Sequence, residues 1–175
     1  MRVEMTIMKK TVLLSVIVAL GTFSALAQKT SLQYLADGSA AYLRGDYEAA
    51  IPPYQKALDL EKKERKLDKK FWIVLVDNLG MSYGITGDIT ASQGVFDYGI
   101  KEEPTYPLFY YNMACGYGEL GDEDNAIKFL APAFKFRKNM LEGEHFPDPM
   151  TDDSFRKFVN DDKFKKAILD MKKAH

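Results

Sequence analysis

Residues 45–60 read Gly45-Asp46-Tyr47-Glu48-Ala49-Ala50-Ile51-Pro52-Pro53-Tyr54-Gln55-Lys56-Ala57-Leu58-Asp59-Leu60. A glycine followed by an aspartate is a joint between two helices. Glycine takes the left-handed backbone conformation that closes one helix. The aspartate carboxylate accepts backbone N–H groups at the start of the next. Behind the joint, Ala50, Tyr54, Ala57 and Leu60 recur at spacings of three and four, which puts them on one helical face. Two more joints follow, Gly87-Asp88-Ile89 and Gly121-Asp122-Glu123. The three are 42 and then 34 residues apart.

The flanks repeat with the joints. Before them come Ala36, Ala40, Ala41 and Tyr42, then Leu79, Gly80 and Tyr83, then Met113, Ala114 and Tyr117. After them, Ala50, Tyr54 and Ala57 correspond to Ser92, Phe96 and Gly99, and to Ala126, Leu130 and Ala133. Small residues mark where two antiparallel helices approach closely, and large ones fill the space between neighbouring pairs.

These residues resemble the tetratricopeptide repeat (TPR) family. The second copy carries the resemblance best, with Leu79-Gly80, Tyr83, Gly87, Phe96 and Pro104 at the family's intervals. The third replaces Leu-Gly with Met113-Ala114 but keeps Tyr117, Gly121, Ala126 and Ala133. The first is looser early, at Asp37-Gly38, and close later. The resemblance implies an all-α superhelix of about three hairpins, with repeats at about 31–64, 73–106 and 107–140 within an array spanning 28–140. The 42-residue interval implies an eight-residue insertion, placed in Glu61 to Lys70. That run holds six basic and three acidic residues with opposite charges at helical spacing, as in Glu61 and Arg65. It reads as a solvated helix, or as two helix ends meeting at Leu67-Asp68; a polyanion-binding patch is the sharper alternative. Pro52, Pro53 and Pro132 fall inside second helices of their hairpins and are expected to bend them.

Beyond Met140 the composition changes. Leu141 to Met150, with two prolines and a glycine, is a loop. A short amphipathic helix is expected over 152–159 and a last one over 163–173. Residues 141–175 resemble the element that closes some TPR arrays, with Phe155, Phe158 and Phe164 set against the third repeat. An open stack needs such a cover for its last apolar face.

At the other end, Lys9 and Lys10 precede an uncharged run from Thr11 to Ala27 that ends Ala25-Leu26-Ala27. Residues 1–27 are expected to be a cleavable signal peptide, an uncleaved anchor being the rival. Seventeen residues are short for a span, which needs about 20. Met8-Lys9-Lys10 is the more usual opening of such a leader. The expected location is the periplasm, or the exterior or surface of a bacterial cell. Once residues 1–27 are removed, 21 basic and 24 acidic residues remain. That balance gives no reason to expect nucleic acid as a partner.

Hydrophobic residues make up 46% of the 175 and charged residues 28%, which excludes a disordered chain and a polytopic membrane protein. The single cysteine, Cys115, excludes an internal disulfide and reads as a small buried hydrophobe. The histidines are His145 and His175, so Cys115 with His145 is the one pairing available for nucleophilic chemistry, and Cys115 falls inside a repeat helix. Gly80, Gly84 and Gly87 are not spaced as a phosphate loop. Glu142, Glu144, His145, Asp148, Asp152 and Asp153 form one acidic cluster, without calcium-loop spacing and with two members that look like helix caps. No catalytic residue, cofactor or metal is assigned. An enzyme or metal-dependent binder built on the 142–153 loop is the weakest alternative.

In the TPR frame the first helix of each hairpin lines a concave groove that takes extended peptides or short helices. The lining implied here is Leu35, Ser39 and Tyr42; Asp77, Asn78, Met81 and Ile85; and Leu108, Tyr111, Asn112, Cys115 and Glu119. For each of these the competing reading is inter-repeat core. Some TPR proteins clamp a terminal carboxylate with lysines, an arginine and asparagines. Of those five positions only Asn78 matches, while Leu35, Ser39, Leu108 and Asn112 stand at the others. A terminal carboxylate needs charged donors, so this groove is expected to offer apolar, aromatic and amide contacts instead. The expected function is a non-enzymatic exported scaffold with a protein or peptide partner, either monomeric or weakly self-associating. A structural role through self-association is the alternative.

Overall fold

A computed structural model describes residues 29–175. The leader assigned to residues 1–27 lies outside the described residues. Seven α-helices follow in order: α1 Ser31–Leu43, α2 Tyr47–Lys63, α3 Lys69–Ile85, α4 Ile89–Glu102, α5 Pro107–Leu120, α6 Glu123–Phe136 and α7 Asp162–Ala174. Short 3-10 turns occupy Arg137–Asn139 and Asp153–Phe155. There is no strand among the described residues.

The three joints are built as the dipeptides require. Gly45, Gly87 and Gly121 have φ of 76°, 91° and 76°. Asp46, Asp88 and Asp122 then cap α2, α4 and α6, accepting the backbone N–H of Ala49, Ala91 and Asn125 at 3.2, 2.9 and 3.1 Å. Each joint folds a hairpin: α1 on α2, α3 on α4, α5 on α6. Consecutive hairpins nest through α2 against α3 and α4 against α5. The first helices also touch one another, α1 with α3 and α3 with α5, so they share one face of the stack.

A recurring contact sets how closely each hairpin closes. Gly38 lies under the ring of Tyr54 and Gly80 under the ring of Phe96, and a Cβ at either glycine would overlap the ring. Both pairs are sixteen residues apart. At the same spacing in the third hairpin, Ala114 and Leu130 are both fully buried. The main core, built around Trp72, Tyr54, Phe96 and Phe109, runs from α1 into α5. A second cluster joins α5 and α6 to the carboxyl-terminal segment through Tyr111, Leu130, Phe134, Phe155 and Phe164.

The long interval between the first two joints is taken up mostly by helix. Helices α2 and α3 have 17 residues each, against 14 in α4 and in α5. The charged run is two helix ends, with Asp68 capping α3 through Phe71 N–H at 2.9 Å. Glu61 does not pair with Arg65. Its buried carboxylate accepts the N–H of Lys66 and Leu67, at 2.9 and 3.0 Å, and so shapes the turn. Arg65 instead stacks 4.1 Å over Trp72 and pairs with Glu102 and Glu103. Helix α2 continues through Pro52 and Pro53, and α6 through Pro132.

The tail departs from its expected form. No helix spans 152–159. The N–H groups of Phe155, Arg156, Phe158 and Asp161 each bond the carbonyl three residues back. Such turns carry three residues per turn, so residues three apart face the same way. That geometry sends both Phe155 and Phe158 inward, where Phe164 of α7 meets them at ring separations of 5.6 and 5.7 Å.

Candidate functional site

An open hollow lies where α3 and α5 run side by side next to α4. It is a cleft of about 610 Å³ lined by Met81, Ile85, Phe96, Asn112, Cys115 and Glu119, with Gly84, Gly87, Ile89, Ser92 and Gly116. Its far wall comes from the tail, through Asp152 and Ser154. Ile85 is 52% exposed, a large aliphatic side chain presented to solvent.

Toward the opposite end of α5 the tail fills the space itself. Residues 139–154 run along α5 as a strap without α-helix. Asn139 donates to the Thr105 carbonyl at 3.2 Å, Tyr106 donates its hydroxyl to Glu144 at 2.8 Å, and Tyr111 donates to Asp152 at 2.9 Å. Phe146 packs edge-on against Tyr111 and Phe134. Where the strap passes Gly118, the Ser154 carbonyl comes so close that a Cβ would collide with it. The glycine is required there for backbone approach.

The expected lining residues fall into several groups. Leu35 and Tyr111 are core, 4% and 1% exposed. Ser39 and Asn78 belong to a polar rung across the first two hairpins, in which Asn78 donates to the Tyr54 hydroxyl at 3.0 Å and Tyr54 donates to Ser39 at 3.2 Å. Leu108 is half-buried between the two clusters. Tyr42 and Met81 meet across α1 and α3, the hydroxyl donating to sulfur at 3.5 Å. Asp77 and Asn112 form a second rung, the amide donating to the carboxylate at 2.8 Å. Met81, Ile85, Asn112, Cys115 and Glu119 are the members that face the cleft.

The rung at Asp77 is electrostatically loaded. Burial pushes its pKa up to about 7, the nearby Glu144 carboxylate adds to the rise, and the Asn112 amide opposes it. Burial raises Tyr42 to about 12, with the Asp77 charge contributing. The Cys115 thiol is likewise held protonated, by burial first and then by the charge of Asp152. The groups acting on it are Asp152, Ser154 and Glu119, none of them an imidazole, and His145 stands exposed on the strap. Three of the loop acids have partners within the fold. Glu144 holds Tyr106 and the Leu141 N–H, Asp148 holds Lys172, and Asp152 holds Tyr111 and the Ser154 N–H. Among the described residues no group of three or more His, Cys, Asp or Glu is disposed to hold a metal ion.

The walls contributed by Asp152 and Ser154 were not among the expected lining residues. Asp152 reads in sequence as a helix cap, and it does accept the Ser154 N–H at 2.9 Å. Its return to α5 depends on a contact 41 residues away in the chain, at Tyr111.

Residues 108–139 match the family profile described as tetratricopeptide repeat. Solved structures share the fold. The crystal structure of PcrH from Pseudomonas aeruginosa aligns with a TM-score of 0.54 at 16% identity, over 86% of this chain and 98% of that one. No match is found among curated proteins. The profile match thus falls on the third hairpin, within an all-helical stack of hairpins. No helix among the described residues is long and apolar enough to cross a membrane.

Proposed function

We propose that this chain is an exported, non-enzymatic TPR scaffold that holds a segment of a partner protein in the groove between α3 and α5, in the periplasm or at the cell surface. The carrying observation is the open cleft, with Met81 and Ile85 on one side and Asn112 on the other. The face is preorganised, because the Asp77–Asn112 and Ser39–Tyr54–Asn78 rungs lock the helices that form it. The cleft suits an extended peptide, with apolar side chains against Met81 and Phe96 and the backbone against Asn112. In the same reading, 31–64, 73–106 and 107–140 are three repeats and 141–175 is the cover of the last one. The repeated glycine-on-ring contact and the burial of Phe155 and Phe164 support this.

Affinity capture from envelope extract tests the reading, with residues 28–175 immobilised as wild type, Ile85→Glu and Leu169→Glu. Both residues are exposed, at 52% in each case, so neither variant should fail to fold. A protein retained by wild type and Leu169→Glu but lost by Ile85→Glu is the expected result. Equal retention by all three would place binding elsewhere.

A further inference from the structure

The cleft has a charge pattern as well as an apolar floor. Its lining contains two carboxylates, Glu119 on α5 and Asp152 on the strap, and no lysine or arginine. Lys157 donates to the Glu119 main-chain carbonyl at 2.8 Å and is not part of the lining. The floor between them is Met81, Ile85 and Phe96. Asn112 has its Nδ2 committed to Asp77, which leaves Oδ1 to accept a backbone N–H.

From this we infer that the cleft takes an extended peptide in which an aliphatic side chain is flanked by lysine or arginine. The inference rests on the peptide-groove reading and adds the chemistry of the occupant. The aliphatic group sits on Met81, Ile85 and Phe96, where burial supplies affinity. The cation next to it faces Glu119, which is exposed, and Asp152, so the charge contribution weakens as salt rises. An acidic peptide meets the same carboxylates as repulsion, so the pattern also selects against wrong occupants.

Three fluorescent peptides of equal length test it, alternating leucine with lysine, with glutamate or with serine. Binding is followed by fluorescence anisotropy at low and high salt. Cys115 lies in the cleft, and since its thiol is buried and held protonated, occupancy is read from the hydrogen exchange of its backbone amide. The expected result is tightest binding by the Lys/Leu peptide, about tenfold over the serine peptide at low salt and less at high salt, slower exchange at Cys115 when it is bound, and affinity reduced about threefold by Glu119→Gln. Glu119 is exposed, so this variant keeps the fold, which circular dichroism checks. If the serine or glutamate peptide bound as tightly and protected Cys115 equally, the charge assignment would be overturned while the groove reading stood. If none of the three bound, both would fail. Tight Lys/Leu binding with no effect on Cys115 would overturn the placement in the cleft.

Discussion

The second hairpin and the third each solve a close-packing problem with a glycine, but they meet different neighbours. Gly80 on α3 makes room for a ring, Phe96, from the helix that follows it. Gly118 on α5 makes room for backbone, the Ser154 carbonyl of the strap. The first contact repeats through the array, since Gly38 stands under Tyr54 in the same way. The second occurs once, where the array ends. Inside the stack, then, a helix is answered by another helix at fixed spacing. At its end, the face of α5 is answered partly by an extended segment and partly by no other described residue, and that unanswered part is the cleft.

The comparison can be broken from either side. Phe155→Ala should have the largest effect, about 4 kcal/mol in chemical denaturation, because a fully buried ring would leave a cavity between α5 and α7. The main core around Trp72 does not use Phe155, so the loss should begin at the carboxyl end, which hydrogen exchange resolves by segment. Gly80→Leu should cost about 3 kcal/mol through overpacking against Phe96, and here exchange should rise in α3 and α4 instead.

Asp77→Asn sharpens the comparison, since Asp77 lies where the array and the strap meet. The folded chain keeps a proton on Asp77 that the unfolded chain releases near 3.8. Stability from this group is therefore full below about pH 4, declines as pH rises toward 7, and is flat above it. Asparagine still accepts the Asn112 N–H and removes that decline. The variant should be more stable than wild type by about 1–2 kcal/mol at pH 8, and the gain should vanish near pH 4. Denaturant titrations at the two pH values check it. Gly118→Ala should cost about 2 kcal/mol, because the added Cβ meets the Ser154 carbonyl, backbone that cannot swing aside as a side chain can. Its sign is accelerated proteolysis within 141–150, with α1 to α4 unchanged.

What could be read from the sequence follows the same division. Gly45-Asp46, Gly87-Asp88 and Gly121-Asp122 were readable because each joint is local: the φ of one residue and the cap of the next decide it. The stack was readable because Tyr54, Phe96 and Leu130 recur at one spacing after the joints at Gly45, Gly87 and Gly121. The strap was not readable. Its contacts, Tyr106 to Glu144 and Tyr111 to Asp152, join residues 38 and 41 apart with no repeat to announce them. The expected helix at 152–159 gave way for a related reason. An amphipathic pattern of so few residues fits a run of 3-10 turns as well as an α-helix, and the tertiary contact at Gly118 decides between them. Candidate groove positions were separable from core only in three dimensions, which is how Tyr111 turned out buried and Glu119 open.

The central claim is that the working surface is the unanswered part of α3 and α5. A photoreactive amino acid placed at Ile85 in one strain and at Leu169 in another tests it in the native envelope. Crosslinking from position 85 to one discrete partner, with none from position 169, is the outcome this account requires. Crosslinks to the same partner from 169 alone, or from both positions equally, would contradict it.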